Sequence, residues 1–547
     1  METPYNWSEK DKYYLEPFVT NPDGLISVLR NLPPEIAGAL CSRASRASGS
    51  LLEVFLKEYI YPIINGEDKV LSEELENTVK FFHEHGFKKI LNNQRAQAFY
   101  AKWLSQYGDD SIAQMTGTHV VFWGISQVAM KFIEDQRIGL EPIEKSTRYV
   151  NFGNKVNGHY LYHVPEDDLR RTGFFEEYER TLDHLFDTYI RLMPPLLDWL
   201  KKNYEEKESI LEKKAFDTLR GLLPMATLGQ LAMRGNAQAL EYLINRTAKH
   251  HLSELRWISG ALKKELDEEI PSLLLRVNDE PAQKYQAYLS GRHNSVRKYI
   301  KEENLSQEKT ISSQPSVKLV EYDKDAVNKV IAGILFEHTH ESWENLLKTA
   351  SSLDETGKKK IISSYLSGRS ERWQKVGRAF ENSYLRFEIT MNIGAYRDLH
   401  RHRMMTQERQ LFSAHHGYDM PEEIKEAGLE GEFSEALEKA RELFFRMEKV
   451  DPGLAQYTVP LAYRIRFFEW QNLRQMFWES ELRTISQGHP DYRKIEQEKW
   501  RVLKEKLPLI SEFILVDMND YKIARRGTEE QIKKKEEFLI NELKKKK

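Results

Sequence analysis

Apolar residues recur three and four positions apart along most of the chain, the spacing that lines one face of an α-helix. The pattern is clearest in "SLLEVFLKEYIYPII" (50–64), "FFEEYERTLDHLFDTYIRLMPPLLDWL" (174–200) and "FSEALEKARELFFRMEKV" (433–450). Two β-branched or aromatic stretches interrupt it. "THVVFWGIS" (118–126) and "YLRFEITMNI" (384–393) predict strands, and "RFEIT" alternates with a period of two. Between 301 and 320, "KEENLSQEKTISSQPSVKLV" loses periodicity and gains Ser, Gln and a Pro, which predicts a linker. The closing "EEQIKKKEEFLINELKKKK" predicts an exposed charged helix fraying into a tail.

The pattern also repeats at long range. "PPEIAGALCSR" (33–43) echoes "NKVIAGILFEH" (328–338). Later in each half an Asn opens an apolar helix that ends in Arg, "NAQALEYLINR" (236–246) and "NLRQMFWESELR" (472–483). A Leu-Pro or Val-Pro precedes each, at Leu223-Pro224 and Val459-Pro460. The order is the same in both halves, so the chain reads as a diverged tandem duplication. A length of 547 residues independently calls for two domains.

Composition narrows the class. A hydrophobic fraction of 40% supplies the cores, and a net charge of −3 argues against bulk binding of nucleic acid. No apolar run reaches the ~18 residues of a membrane span. The polar start "METPYNWSEKDKYYLE" is no signal peptide, so the expected location is cytoplasmic. The single cysteine, Cys41, excludes an internal disulfide framework and a cysteine-held zinc; its setting "AGALCSRAS" reads as a buried helix face.

One stretch resists a purely structural reading. "YRDLHRHRMMTQERQ" (396–410) places Arg397, His400, Arg401, His402 and Arg403 at the end of the strand-like "LRFEITMNIGA". Unpaired buried charges cost several kcal/mol each. Three readings are open: surface residues paired with nearby acids, a metal site, or an anion site. His400 and His402 alternate like strand neighbours, and His415-His416 and "HTHE" (338–341) add imidazoles. Interleaved arginines repel a divalent cation, so no metal is expected. Arginine forks and a tunable imidazole suit an anion.

"HRHRMMTQE" resembles the RHR signature of the flavin-dependent thymidylate synthases, the ThyX family. Arg401, His402 and Arg403 match it, Thr406 stands in place of a Ser, and Glu408 stands where Asn is expected. The Glu-x-Ser-x-Arg-Tyr half of that signature is absent there. It occurs instead in "IEKSTRYV" (143–150), as Glu144, Ser146, Arg148 and Tyr149. In that first copy the RHR is reduced to "QRI" (136–138), leaving Arg137. "LRGLLP" supplies Arg220, "NAQALEYLINR" supplies Asn236 and Arg246 with Gln238 in place of an Arg, and "NLRQMFWESELR" supplies Asn472, Arg474 and Arg483. Gln456 replaces the Arg before the second Pro, and "RAFEN" resembles the family's "PFEH", bringing in Glu381.

The resemblance implies an α+β chain of two tandem ThyX-like α/β domains, each a small, mainly antiparallel sheet packed with helices, helix-rich overall. The expected division is a first domain over 1–305 keeping the nucleotide motif, a linker over 306–320, a second domain over 321–530 keeping the flavin motif, and a charged tail over 531–547. The implied activity is reductive methylation of dUMP to dTMP, with FAD as cofactor and methylenetetrahydrofolate and NADPH as co-substrates. It implies Glu144, Ser146, Arg148, Tyr149 and Arg220 on dUMP, and Arg401, His402, Arg403, Thr406, Glu381, Asn472 and Arg474 on FAD. Arg246 or Arg483 would stabilise the enolate of the attacked pyrimidine, an oxyanion-type role. Cys41 has no adjacent Pro and no activating group, which suits the flavin route over the cysteine-dependent one. The family's homotetramer suggests a homodimer of tandem chains, with sites drawing on both copies. A diverged flavoprotein acting on another nucleotide and a non-catalytic nucleotide-binding homologue remain open alternatives.

Overall fold

Among the described residues, eight strands form two four-stranded antiparallel sheets with one strand order. In the first, β1 (Ile26–Leu29), β2 (Gly117–Ser126), β3 (Leu140–Glu144) and β4 (Leu228–Asn236) lie in the order β1-β2-β4-β3. In the second, β5 (Ser316–Tyr322), β6 (Tyr384–Asn392), β7 (Thr406–Arg409) and β8 (Arg464–Asn472) lie in the order β5-β6-β8-β7. This computed structural model describes residues 6–47, 49–86, 93–106, 110–303, 305, 314–521 and 528–545. Both strands expected from the β-branched stretches are present as β2 and β6. In β6 the period-two pattern buries Leu385, Phe387 and Ile389. The two halves therefore are tandem α/β domains of one architecture, helix-rich, as the repeat predicts. No helix among the described residues is long and apolar enough to cross a membrane.

The expected linker needs correction at its end. Residues 306–313 lie outside the described residues, but Ser316–Val320 belong to β5, paired with β6 from Ser316↔Thr390 onward. "SVKLVEY" alternates apolar and charged positions, a strand pattern that the preceding Ser- and Gln-rich segment hides. Thr528–Lys545 is helical, as the charged C-terminal pattern predicts.

Side-chain caps set where the helices begin. Helix α1 (Gln127–Glu134) follows β2 directly because Ser126 Oγ accepts from the Ala129 N–H, and Ser126 is itself held by Glu254. Helix α2 (Phe175–Asn203) buries Tyr178, Leu182, Leu185, Phe186, Tyr189, Leu192, Leu196 and Leu200 at helical spacing. Helix α3 (Ala237–Ala248) starts at Asn236, whose side chain takes the Ala239 N–H, and α4 is Ser253–Glu269. In the second copy the same devices recur. Asn392 caps α5 (Ile393–Leu399) through the Ala395 N–H, α6 is Glu430–Glu448, Asn472 caps α7 (Leu473–Arg483), and α8 is Pro490–Lys506. Each cap satisfies an orphan N–H and contributes about 0.5–2 kcal/mol.

The chain folds as two compact units that do not follow the midpoint. One comprises residues 1–309 together with 420–461; the other comprises 310–419 and 462–547. In the first unit α6 lies against α2, with Arg191 Nε 2.6 Å from Glu432. The Pro224 and Pro460 segments pair as a short antiparallel bridge, with Met225 N–H donating to Val459 O and Leu461 N–H to Leu223 O, both at 2.9 Å.

Candidate functional site

The basic cluster is a helix end. With Asn392 capping Ala395, the chain leaves β6 and turns at once into α5, so Arg397 lies inside the helix and His400 is its C-cap. The expected strand alternation of His400 and His402 is thus replaced by a helical turn, because a capping Asn outweighs the β-branched run before it. Arg397, His400 and His402 are buried, whereas the Arg401 side chain is 47% exposed and reaches Asp398 only at 3.9 Å.

His402 is the fixed point of this turn. Its Nε2 lies 2.7 Å from Arg483 Nε and its Nδ1 lies 3.2 Å from the Gln475 amide. Guanidinium cannot accept, so Nε2 is the acceptor and the ring proton sits on Nδ1. The Gln475 amide then turns its oxygen to that proton, an assignment made from the network. Burial, then the charges of Arg483, Lys499, Arg401 and Lys375, hold the His402 pKa well below the ordinary range, so the ring is neutral. Trp478 packs edge-on against it, with centroids 5.1 Å apart.

The remaining second-copy candidates lie on neighbouring elements of the same unit. Thr406 opens β7 opposite Trp470. Asn472 spends its side-chain oxygen on the Gln475 N–H. Arg474 donates to the Val376 carbonyl at 3.0 Å and to Glu381 at 2.5 Å, while its side chain remains 40% exposed. Arg403 is half-buried.

In the first unit Arg148 and Arg220 converge on one carboxylate. Arg148 Nε donates to Asp217 at 3.1 Å, and Arg220 Nε is 3.3 Å from the same residue. Ser146 Oγ accepts from the Arg148 N–H, and the Arg148 guanidinium lies 5.6 Å from the Tyr149 ring centre. Glu144 faces inward and meets Lys131 Nζ at 3.1 Å, with both side chains buried. Arg246 covers the Phe132 ring at 4.5 Å. Behind the Ser146 loop lies a cavity of about 440 Å³ walled by Trp123, Val150, Phe152 and Tyr162 and entered by Lys145. Burial lowers the Lys145 pKa to about 8.

A model of the family described as thymidylate synthase complementing protein matches residues 69–272 and again 318–509. The chain belongs to that family. It is 36% identical to the UPF0159 protein of Chlamydia pneumoniae over 532 residues, 95% of this chain and 97% of that one. The Chlamydia muridarum UPF0159 protein is 35% identical over 541 residues, covering 96% and 99%. The Thermoplasma acidophilum UPF0159 protein is 28% identical over 471 residues, covering 80% and 92%.

The caps also correct how the two copies of this thymidylate synthase complementing fold align. Counting from Ser126 and Asn392, the residues opposite Arg401, His402 and Arg403 are Asp135, Gln136 and Arg137, one position earlier than the "QRI" reading. Arg137 there adopts a φ of 61°, a left-handed conformation rare for a side chain of its size. Counting from Asn236 and Asn472, Arg246 is one position short of Arg483, so the two point about 100° apart around their helices. A groove of about 610 Å³ beside Gln136 carries Gln114, Gln238, Asn245 and Arg276. Arg276 is paired with both Asp110 and Glu241 at 2.6 Å, so its charge is already met, in contrast to the partly exposed Arg401 of the second copy.

Sequence reasoning missed one feature of the family's second copy, a buried Lys499 ringed by Glu469, Glu479 and Glu496. The four are scattered over 31 residues among helices and a strand, where acids and lysines read as solvated faces. Only the burial of α8 on the sheet reveals them.

Proposed function

We propose that this member of the family is an FAD-dependent thymidylate synthase, converting dUMP to dTMP with methylenetetrahydrofolate and NADPH. The reading rests on the second unit, where Arg483 and Arg401 bear on a His402 held neutral and Arg403 follows it in the chain. That donor set fits an anionic, phosphate-bearing flavin: Arg401 and Arg474 are partly exposed, and His402 adds a rigid contact without adding charge. FAD bound there would supply hydride chemistry. The chain supplies position and field. Arg483, fixed on His402, is the candidate to stabilise developing negative charge on the pyrimidine oxygen, with Arg246 as the first unit's candidate. Ser146, Arg148 and Arg220 of the first unit are the proposed phosphate ligands, with Tyr149 stacked on Arg148. The Arg148–Arg220–Asp217 arrangement supports this, since a phosphate can replace the shared carboxylate. Glu144, salt-bridged to Lys131, shapes that loop from behind. Glu381 and Asn472 hold Arg474 and the start of α7, and Thr406 borders the turn. The proposed assembly is a dimer of these chains in the cytoplasm.

One observation favours a second reading, a flavoprotein with different nucleotide chemistry: Ser413 and Ala414 occupy the second-copy positions of Arg148 and Tyr149, counting from Glu144 and Arg409, which pair with equivalent residues of β4 and β8. Two measurements separate them. Purified protein with FAD added should show flavin absorbance that shifts when dUMP is added, and should release tritium from labelled dUMP with methylenetetrahydrofolate and NADPH. A flavin spectrum without tritium release supports the second reading, and no bound flavin overturns both. Arg401→Ala should weaken FAD binding, and Arg148→Ala the dUMP shift. Each loss should be about 10–100-fold, the worth of one charge-assisted hydrogen bond.

A further inference from the structure

None of the residues assigned to nucleotide or flavin lines the cavity behind the Ser146 loop. Its volume of about 440 Å³ falls within the ~300–1,000 Å³ typical of small-molecule sites. Trp123 of β2, Phe152 and Tyr162 bring three aromatic rings to its lining, and two of them are anchored by groups outside it. Trp123 Nε1 donates to Ser27 Oγ at 3.0 Å. The Tyr162 hydroxyl donates to Asp183 at 3.0 Å, and its ring stacks on Phe186 with centroids 5.8 Å apart. Rings held in place beforehand lose little freedom when a ligand settles against them. Gln230 of β4 adds an amide, its Nε2 bonded to the Gly49 carbonyl at 2.9 Å. The buried His163 also lines the cavity, and neither of its ring nitrogens has a hydrogen-bond partner, a polar need the protein itself leaves unmet. Lys145 brings a positive charge, and among the described residues no acid lines the space to repel an anion.

The fold does not require this hollow. The Lys145 N–H donates to the Gln230 carbonyl in the first copy, and the Gln410 N–H donates to the Arg466 carbonyl at the same place in the second. Further on, the His163 N–H donates to Ala226 O and the Asp419 N–H to Ala462 O, so His163 and Asp419 are counterparts. His163 follows Glu144 by 19 positions, whereas Asp419 follows Arg409 by 10. The longer connection of the first copy carries Val150, Phe152 and Val156, which wall the cavity. The second copy closes the corresponding space with an ion pair. Arg464, counterpart of Leu228, donates to Asp419 at 2.5 Å and to the His416 and Tyr418 carbonyls at 3.0 and 2.7 Å. Leu228 and His163 can make no such pair. Interiors are close-packed by default, so stability does not explain a longer connection that opens a space.

We propose that this cavity binds a flat aromatic anion of one or two rings, its rings against Trp123, Phe152 and Tyr162 and its carboxylate on Lys145. The contact is charge-assisted and lies among apolar walls, where such a hydrogen bond is strongest. Burial brings the Lys145 pKa to about 8, so its ammonium prevails at neutral pH and is half lost near pH 8. Burial, then Asp183, keeps the neighbouring Tyr162 un-ionised, and burial keeps His163 neutral, with Glu254 3.9 Å from its Nε2. On the same loop Glu144 is paired with Lys131 and Arg148 with Asp217. From β2 and β4 the cavity meets uncharged groups, Trp123, Leu228 and Gln230. Lys145 is therefore the group whose titration a bound anion senses.

Calorimetry of the full chain tests this, with 1-naphthoate as the probe and uncharged 1-naphthamide as its isostere. Naphthoate should bind once per chain and about tenfold or more tighter than naphthamide, the worth of one charge-assisted hydrogen bond. Its affinity should fall about tenfold from pH 7 to pH 9 as Lys145 loses its proton. Lys145→Met should weaken naphthoate to the level of naphthamide and remove the pH dependence, whereas Lys145→Arg should keep tight binding at both pH values. Leu228→Arg/His163→Asp carries the second copy's closing pair into the first and should abolish binding of both probes. No binding of naphthoate, equal affinity for the two probes, or undiminished affinity in Lys145→Met would overturn the proposal. The probe comparison and the pH profile need only the unmodified protein, so a variant that fails to fold still leaves the question decided.

Discussion

Glu254 accepts three hydrogen bonds in the first unit, from the Ser126 N–H at 2.8 Å, the Ser126 hydroxyl at 2.6 Å and the Tyr457 hydroxyl at 2.8 Å. Glu254→Leu leaves all three donors buried and unmet, and should cost about 3 kcal/mol or more, read as a lowered urea midpoint. Imidazoles short of water set the acid limit. Burial first, then neighbouring cations, lowers the buried His416 to about 4, and burial with the adjoining His251 imidazole lowers the half-buried His250 to about 2. Their folded values lie below the ~6.5 of a free histidine, so the unfolded chain binds protons first. Their contribution is complete above pH ~6.5 and declines as pH falls through the folded values. The thermal midpoint should therefore drop from pH 6.5 downward, and His416→Gln should flatten that slope. At this scale the sequence displays what is contiguous: the arginines of the RHR turn announce themselves, whereas Glu479 and Lys499 acquire meaning only when α7 and α8 pack.

Among elements, the caps decide more than the hydrophobic pattern does. Asn392 receives the Ala395 N–H and donates to Asp419 at 2.9 Å and Asp491 at 2.7 Å. Asn392→Ala should cost about 1–2 kcal/mol for the cap alone, and more because Asp419 and Asp491 lose the amide donor they share. It should also loosen the turn that carries His402, so flavin affinity and the urea midpoint should fall together. Long amphipathic helices and alternating strands were legible because periodicity survives burial on one face. The seven residues of α5 are too few to show a period, and the whole helix is buried, which erases any amphipathic contrast. Its capping Asn was the available signal, and it alone would have placed Gln136 opposite His402.

For the whole molecule, duplication was readable from residues that recur in order, because equivalent caps, prolines and strands must be kept for each copy to close its sheet. The passage of residues 420–461 into the first unit was not readable, since it depends on which apolar face α6 covers. That helix buries Phe433, Ala436, Leu437, Ala440, Leu443, Phe444 and Met447. A fragment ending at residue 309 lacks this cover for α2 and the backbone partners of Met225 and Ala226. Expressed alone it should aggregate or bind a hydrophobic dye, and co-expression with residues 310–547 should restore a soluble product, as gel filtration would show.

The borrowed helix also has a genetic meaning. A gene cut between its two copies would yield one product missing a wall and another carrying a wall with nothing to cover. Recombination at that seam is therefore selected against, and the two halves are inherited together even where their surface chemistry drifts apart.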